Sequence, residues 1–185
     1  MSPAAEVRGA ERRLILLEGM SKEEILDRIE KSAYECEKEY HGCSRCTLRA
    51  LEEYLELRDG SAVKAATPLA GGIAMMGETC GALLGALIAV GLATASDHLD
   101  NQAAFMLSMV SGYRFYRRFE KEFGSTVCRD IQKERFGRSF NFADAEQYQA
   151  FQEAGGYEEC PRVAAKAARL AGEFILELRE EAERN

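Results

Sequence analysis

The chain has 185 residues, with 31 acidic and 24 basic side chains, a formal net charge of −7, six cysteines and two histidines. This acidic balance argues against a general affinity for nucleic acid or anionic lipid, since such binding depends on summed positive charge. The length is sufficient for one domain with a sizeable core. We therefore expect a soluble, cytoplasmic protein.

We expect neither an export signal nor a membrane span. Two arginines near the start are followed by an apolar run of only four residues, 14–17, which is too short for a signal peptide. The uncharged run at 81–96 is shorter than the roughly 20 residues that cross a bilayer. We interpret residues 1–20 as an N-terminal extension and residues 21–185 as one helical domain.

Capping residues, glycine stops and apolar spacings of three and four residues predict helices along the whole domain. No run of alternating β-branched residues indicates a sheet. The predicted fold is an all-α, single-domain bundle of about seven helices. In chain order the helices begin or end at these signals: a capping box at 21–24, a stop at His41-Gly42, a stop at Arg58-Asp59-Gly60, breaks at Pro68 and Gly71-Gly72, a cap at Thr79, a start near Asp97, stops at Gly124 and Gly137, a short helix in DAEQYQAFQEAGG, and a last start at Cys160-Pro161.

The helix that begins at Thr79 is expected at the centre of the core, because it is uncharged and rich in small residues. Both of its apolar faces are predicted to be buried. An exposed small-residue face would also suit a homodimer, and burial within one chain explains the composition equally well. One face carries Ala82, Ala86, Ala89 and Ala93, and the other carries Cys80, Leu84, Leu87 and Gly91.

Four cysteines stand in the first turn of predicted helices. There the backbone N–H groups lack intrahelical partners and the helix dipole favours negative charge, so the thiolate is expected to be stabilised. Thiolate is the form that binds metals and attacks disulfides. The four are Cys43 after Gly42, Cys80 after Thr79, Cys128 three residues after Ser125, and Cys160 before Pro161.

Cys43-Ser44-Arg45-Cys46 is a C-x-x-C sequence. On a helix it places two sulfurs on one side, one turn apart, where they can close a disulfide or share a metal. Thr47 stands where covalent haem attachment would require histidine, which excludes that attachment at this pair. The strand expected before a thioredoxin-type motif is missing.

Cys43 after Gly42, the sequence CGALLG at 80–85, and then Cys128 and Cys160 resemble the redox-active proteins described by the pattern C_GCAxxG_C_C, whose signature includes CGAxxG. The similarity extends over roughly residues 25–180. It implies a small, mainly helical protein with a redox or metal-related role and no established substrate. By matching position it also implies a family set made of Cys43, Cys80, Cys128 and Cys160.

Cys36 and Cys46 are additions to this family set, and they either enlarge a cluster site or supply a resolving thiol. A related helical module resembles the haem-carrying part of split-Soret cytochromes, but the haem attachment motif is absent here.

Three hypotheses follow. In the first, Cys43, Cys80, Cys128 and Cys160 converge at helix starts to hold an iron–sulfur cluster or another thiophilic metal ion, with Cys46 as a further metal ligand and Cys36 nearby. In the second, the protein is a thiol–disulfide oxidoreductase with Cys43 and Cys46 as the catalytic pair. In the third, it is a non-enzymatic helical interaction module with buried cysteines. The sequence does not identify the redox partner.

Other candidates have simpler interpretations. His41 lies close to Cys43 and is either a ligand or proton donor, or a solvated loop residue. With two histidines, any transition-metal site must use sulfur or carboxylate. In the basic, aromatic stretch 113–138 the aromatic side chains are expected to pack inward and the basic ones to form a solvated face, rather than a nucleic-acid surface. The basic residues of this face are Arg114, Arg117, Arg118 and Lys121. The glycines of GETCGALLG indicate close helix packing, since the lysine and hydroxyl of a phosphate loop are missing.

Overall fold

The structure is a computed structural model that describes residues 19–57 and 61–184. This part of the chain contains eight α-helices and no strand, so the all-α prediction is confirmed, with eight helices rather than about seven. The expected N-terminal extension lies mostly outside the described residues, as does the stop at 58–60. The helices are α1 (Lys22–Tyr40), α2 (Cys43–Leu55), α3 (Ala62–Ala66), α4 (Gly81–Thr94), α5 (Gln102–Phe123), α6 (Cys128–Phe136), α7 (Ala145–Glu153) and α8 (Gly156–Glu183).

The core lies where α1, α2, α4 and α8 pack together. Helix α2 contacts α1, α4 and α8, and α4 contacts α2, α5 and α8. The fully buried side chains in this core include Leu48, Leu51, Leu83, Phe115 and Phe174. Helix α4 therefore has the central position expected from its composition, and it shares that position with α2. Among the described residues no helix combines the length and apolarity of a bilayer span.

The small residues of α4 allow its backbone to approach α2. A Cβ atom built on Gly85 would overlap the backbone carbonyl oxygen of Ser44, so only glycine fits at this crossing. The interpretation of the GETCGALLG glycines as a packing feature is therefore confirmed at Gly85. Burial of both faces is confirmed only in part. Ala82, Ala86 and Ala89 are buried and Ala93 is exposed, while Leu84, Leu87 and Gly91 on the second face are half-buried.

Five consecutive residues, Gly71 to Met75, have positive φ angles between +49° and +72°. Three of them, Ile73, Ala74 and Met75, are not glycine, and side chains rarely adopt this conformation. Backbone hydrogen bonds hold the segment, including one from the N–H of Ala74 to the carbonyl oxygen of Pro68 (2.7 Å). We call residues 71–75 the left-handed loop. The sequence predicted only a helix break here.

A short antiparallel backbone contact connects the segment after this loop to the start of α6. The N–H of Cys80 donates to the carbonyl oxygen of Thr126 (2.8 Å), and the N–H of Cys128 donates to that of Glu78 (2.6 Å). These two bonds flank an antiparallel bridge between Thr79 and Val127. As a result, Cys80 and Cys128 are positioned by the same backbone frame.

Candidate functional site

A pocket of about 430 Å³ opens between the starts of α2, α4 and α6 and the first part of α8. Its lining includes one cysteine from each of these four places. The structure thus brings together the four free cysteines of the chain, which are far apart in sequence: Cys43, Cys80, Cys128 and Cys160.

Three of these cysteines stand at helix starts, although not always with the predicted caps. Cys43 is the first residue of α2 and Cys128 the first of α6, whose N-cap is Val127 rather than Ser125. Cys80 is itself the N-cap of α4, in place of Thr79. The Sγ of Cys43 lies over Gly81, where a Cβ atom would be only 2.5 Å from it. Gly81 therefore provides the space that this sulfur occupies.

The prediction that Cys160 begins the last helix is wrong. Helix α8 begins at Gly156, so Cys160 is its fifth residue and Pro161 lies inside the helix. The physical reason is the Gly155-Gly156 pair. Gly155 adopts a left-handed conformation as N-cap, and a Cβ atom on Gly156 would overlap the ring of Phe151. These glycines end α7 and also start α8.

The predicted stabilisation of thiolates is also wrong. Burial raises the pKa of all four thiols, that of Cys80 to about 12. The pKa of Cys43, Cys80 and Cys160 rises further, because a thiolate at one of these positions would be repelled by a thiolate at another pocket cysteine. Backbone hydrogen bonds from Ala82 and Leu83 lower the pKa of Cys80, but by less than burial raises it. Desolvation thus outweighs the helix start, and the thiols are protonated at neutral pH.

Cys128 has the environment most favourable to a thiolate among the four. Burial raises the pKa of its thiol, and two neighbours oppose this effect. The Nε2 of Gln132 donates to its Sγ (3.3 Å), and the Arg129 guanidinium attracts the negative charge. Gln132 is itself fixed, because its Oε1 accepts the backbone N–H of Phe140 (2.7 Å). Cys128 is also partly accessible, whereas Cys80 is only 5% exposed.

A buried carboxylate, Glu37 of α1, lines the same pocket. Its residue is 6% exposed, and its Oε2 has no hydrogen-bond partner among the described residues. Burial raises the pKa of Glu37 to about 7, although the backbone N–H of Gly42 and the charge of Arg45 act in the opposite direction. Glu37 was not among the site residues predicted from the sequence. Its position in the buried series that includes Ile29 and Ala33 was the available signal.

His41 lies at the pocket beside Glu37 and stacks on an aromatic ring. Its ring is parallel to that of Tyr157, with centroids 3.9 Å apart, and its Nδ1 donates to the carbonyl oxygen of Glu37 (2.9 Å). The hydroxyl of Tyr157 is 2.5 Å from that of Tyr148, and burial raises the pKa of Tyr148 to about 12. His41 is therefore a packed pocket residue and not a freely solvated one.

Aromatic side chains form one wall of the pocket. They come from the end of α6, the segment that follows it, α7 and the start of α8, and several of them meet edge to face. From the sequence only a helix stop at Gly137 and a short helix after it were predicted, and not this wall. Its members are Phe136, Phe142, Tyr148, Phe151 and Tyr157.

The remaining two cysteines form a disulfide away from the pocket lining. Cys36 of α1 and Cys46 of α2 are bonded, with their Cα atoms 5.4 Å apart, and Cys46 is fully buried. The structure thus pairs Cys46 with Cys36 and leaves Cys43 free, so the expected Cys43–Cys46 pair is not formed. Cys46 is likewise not placed with the pocket cysteines as a metal ligand.

Within residues 19–57 and 61–184, no group of three or more His, Cys, Asp or Glu side chains is arranged to hold a metal ion. The four thiols share a pocket, but they do not surround a single ion as they stand.

The fold and the pocket define an all-helical protein with a thiol-lined cavity. The family model described as "Putative redox-active protein (C_GCAxxG_C_C)" matches residues 41–174, which include all four pocket cysteines. Since the match covers most of the chain, the protein belongs to this redox-active cysteine family. No curated protein and no solved structure shows significant similarity to the chain.

Proposed function

We propose that the protein is a thiol–disulfide redox protein in which the pocket cysteines reduce a disulfide-containing substrate. The observation that carries this proposal is the convergence of four free thiols and one buried carboxylate on a single pocket. The pocket has the size of a small-molecule site. Its aromatic wall favours a substrate with apolar groups beside the disulfide.

Cys128 and Cys80 are proposed as the reacting pair. Cys128 is the attacking residue because it is partly accessible and because Gln132 and Arg129 favour its thiolate. Cys80 is the resolving residue because the backbone bridge at Thr79 and Val127 keeps it beside Cys128. This assignment replaces the Cys43–Cys46 pair expected from the sequence, since Cys46 is bonded to Cys36.

The exchange balances without an additional reactant. The Cys128 thiolate attacks one sulfur of the substrate disulfide, forms a mixed disulfide and releases the first substrate thiolate, which takes a proton. The Cys80 thiolate then attacks Cys128 and releases the second substrate thiol. The protein gives up two electrons and two protons, and a Cys80–Cys128 disulfide is left in the pocket beside the existing Cys36–Cys46 disulfide.

Glu37 is proposed as the proton acceptor of the pocket. A thiol with a raised pKa needs a nearby base to form its thiolate, and a carboxylate with a pKa of about 7 is suited to this role at neutral pH. The charge of Glu37 raises the pKa of Cys43, Cys80 and Cys160, so within the proposed pair it is placed to take the proton of the resolving thiol, Cys80.

The test is a thiol count during one redox cycle. Reduced protein, kept anaerobic, is treated with oxidised glutathione, and free thiols are titrated while disulfides are mapped by mass spectrometry. We expect the loss of two pocket thiols, a Cys80–Cys128 link, and recovery with reductant. The Cys128→Ser variant should not form this link, whereas the Cys36→Ala/Cys46→Ala variant should retain it. An unchanged count of pocket thiols would overturn the proposal.

A second candidate uses the same four cysteines to hold an iron–sulfur cluster or another thiophilic metal. The observation that favours it is the mutual repulsion of the sulfurs, because a cation among them would allow all to ionise. The side chains would first have to move, since the described residues hold no group arranged for an ion. An iron–sulfur cluster at this position would supply electron transfer.

Metal and acid-labile sulfide analysis of anaerobically purified protein separates the two candidates. Near-stoichiometric iron or zinc that is lost in the Cys128→Ser variant would support the metal centre. A metal-free protein with a two-thiol cycle would support thiol–disulfide exchange. A cytoplasmic location and a separate redox partner remain part of either proposal.

A further inference from the structure

The first half of α5 is apolar and exposed on nearly all sides. No charged residue occurs between Asn101 and Tyr113. Six large apolar side chains in this stretch are each more than half exposed: Phe105, Met106, Leu107, Met109, Val110 and Tyr113. We call them the α5 surface. Isolated exposed apolar residues are normal, but a contiguous group of this size marks an interaction surface.

The distribution of these side chains around the helix restricts what can cover them. At 100° per residue, Met109 points about 160° away from Leu107, and both are more than half exposed. A helix that is apolar all round is normally buried among several neighbours. Within its own chain this stretch packs through few residues, such as Ser111 and the half-buried Gly112 beside Leu87 of α4. A covering partner must therefore supply more than one helix.

We propose that the α5 surface is the interface of a homodimer, in which the α4–α5 pairs of two copies pack antiparallel about a two-fold axis. This interface requires no charge complementarity at its centre, because the α5 surface is uncharged. The two helices of each copy together would form a four-helix bundle, in which both helices of the partner contact α5 and cover it on more than one side. A stable dimer of standard size covers roughly 800 Å² on each partner, and six large side chains that are more than half exposed can supply most of that area.

The charges that flank the α5 surface support a second copy as the partner. Asp97 and Asp100 precede α5, and both are exposed. Arg114 and Arg117 follow the surface on the same helix, and the side chain of Arg117 is 60% exposed although it pairs with Glu120. In an antiparallel arrangement the acidic end of each copy meets the basic end of the other. A two-fold axis between Ser108 and Met109 would place Asp100 opposite Arg117.

A covering segment from the same chain is a weaker alternative. Residues 14–17 are apolar and lie outside the described residues. Four residues are too few to cover side chains that point in opposite directions from α5. This alternative is one of the outcomes of the test.

The test measures the mass of the full-length protein in solution by analytical ultracentrifugation over a range of micromolar concentrations. We expect a dimer for the wild type and a monomer for Met106→Glu/Met109→Glu. The matched control is Met75→Glu/Met76→Glu, which changes two exposed methionines outside α5 and should remain a dimer. Circular dichroism and a reversible unfolding transition identify variants that keep the fold.

A charge exchange tests the antiparallel arrangement independently of apolar burial. Arg117→Asp should raise the dissociation constant of the dimer by about tenfold or more, because an acidic side chain at position 117 of each copy would then face Asp100 of the other. Adding Asp100→Arg to the same chain should restore it, since both opposing pairs are then reversed. A monomeric wild type overturns the proposal. If that monomer binds an apolar dye only after residues 14–17 are replaced by serine, the N-terminal segment is the occupant.

Discussion

Gly85 of α4 packs directly against the backbone carbonyl of Ser44 in α2, and no side chain fits between them. We predict that Gly85→Ala lowers the free energy of unfolding by about 2–4 kcal/mol, because a backbone atom cannot move away as a flexible side chain can. Denaturant unfolding measures this change. The Gly85→Ala substitution should also raise the reactivity of the Cys43 thiol, because Cys43 lies in α2 one residue before Ser44.

Gly91 provides the matched control on the same helix. A Cβ atom there meets nothing within 4 Å. Gly91→Ala is therefore expected to raise the free energy of unfolding by about 0.5–1 kcal/mol, as alanine does in an open helix position. Equal effects at the two glycines would contradict the close approach of α2 and α4.

Glu37 should make the stability of the protein depend on pH. Its pKa is about 7 in the folded protein and near the ordinary value of 4.5 when unfolded, so the folded state binds the proton more tightly. The resulting stability is fully present below about pH 4.5 and is lost as pH rises through 7. Glu37→Gln should match the wild type at acidic pH and exceed its free energy of unfolding by about 1–3 kcal/mol at pH 8.

The control for this effect is Glu35→Gln on the same helix. The Glu35 side chain is 63% exposed and lies 3.7 Å from Lys31, so its loss should change stability little at any pH. Unfolding curves of the three proteins between pH 4 and pH 8 provide the comparison. If the free energies of unfolding of the wild type and Glu37→Gln changed with pH in parallel, this carboxylate would not be buried as described.

The pocket thiols should react slowly with iodoacetamide at neutral pH. Cys80 is expected to be the slowest, because a pKa of about 12 lowers its thiolate fraction about a thousandfold relative to a thiol of pKa 9. Mass spectrometry of the labelled peptides gives each rate, and the same peptides in denaturant are the reference. Cys80 labelling as fast in the native protein as in denaturant would contradict the raised pKa.

The Cys36–Cys46 disulfide should contribute about 2–3 kcal/mol to the free energy of unfolding, since it connects α1 to α2. Thiol titration of the denatured protein is expected to give four thiols without reductant and six with it. Reductant should lower the Tm of the wild type and leave that of Cys36→Ala/Cys46→Ala unchanged. Six thiols without reductant would contradict the pairing.

The features predicted from sequence are those that depend on neighbours along the chain. The capping box at Ser21 and the stops at Gly42, Gly124 and Gly137 coincide with helix ends in the structure. The small residues of α4 correctly indicated close packing. These signals are local, because each one satisfies or removes backbone groups within a single turn.

The features that were missed depend on contacts between distant segments. Cys46 pairs with Cys36 because α1 lies beside α2, which the C-x-x-C spacing does not reveal. The thiol pKa values rise because desolvation by the surrounding helices exceeds the local effect of a helix start. Glu37 was missed because a charged residue on an apolar helix face becomes informative only when its burial is known.

The distribution of the four pocket cysteines over four separate helices has a consequence for how the protein can be produced. Each thiol meets the others only after the bundle has assembled, and an unfolded chain with six cysteines has many wrong pairings available. Refolding under air should therefore trap scrambled chains, whereas refolding with excess thiol, followed by gentle oxidation, should recover the native form in higher yield.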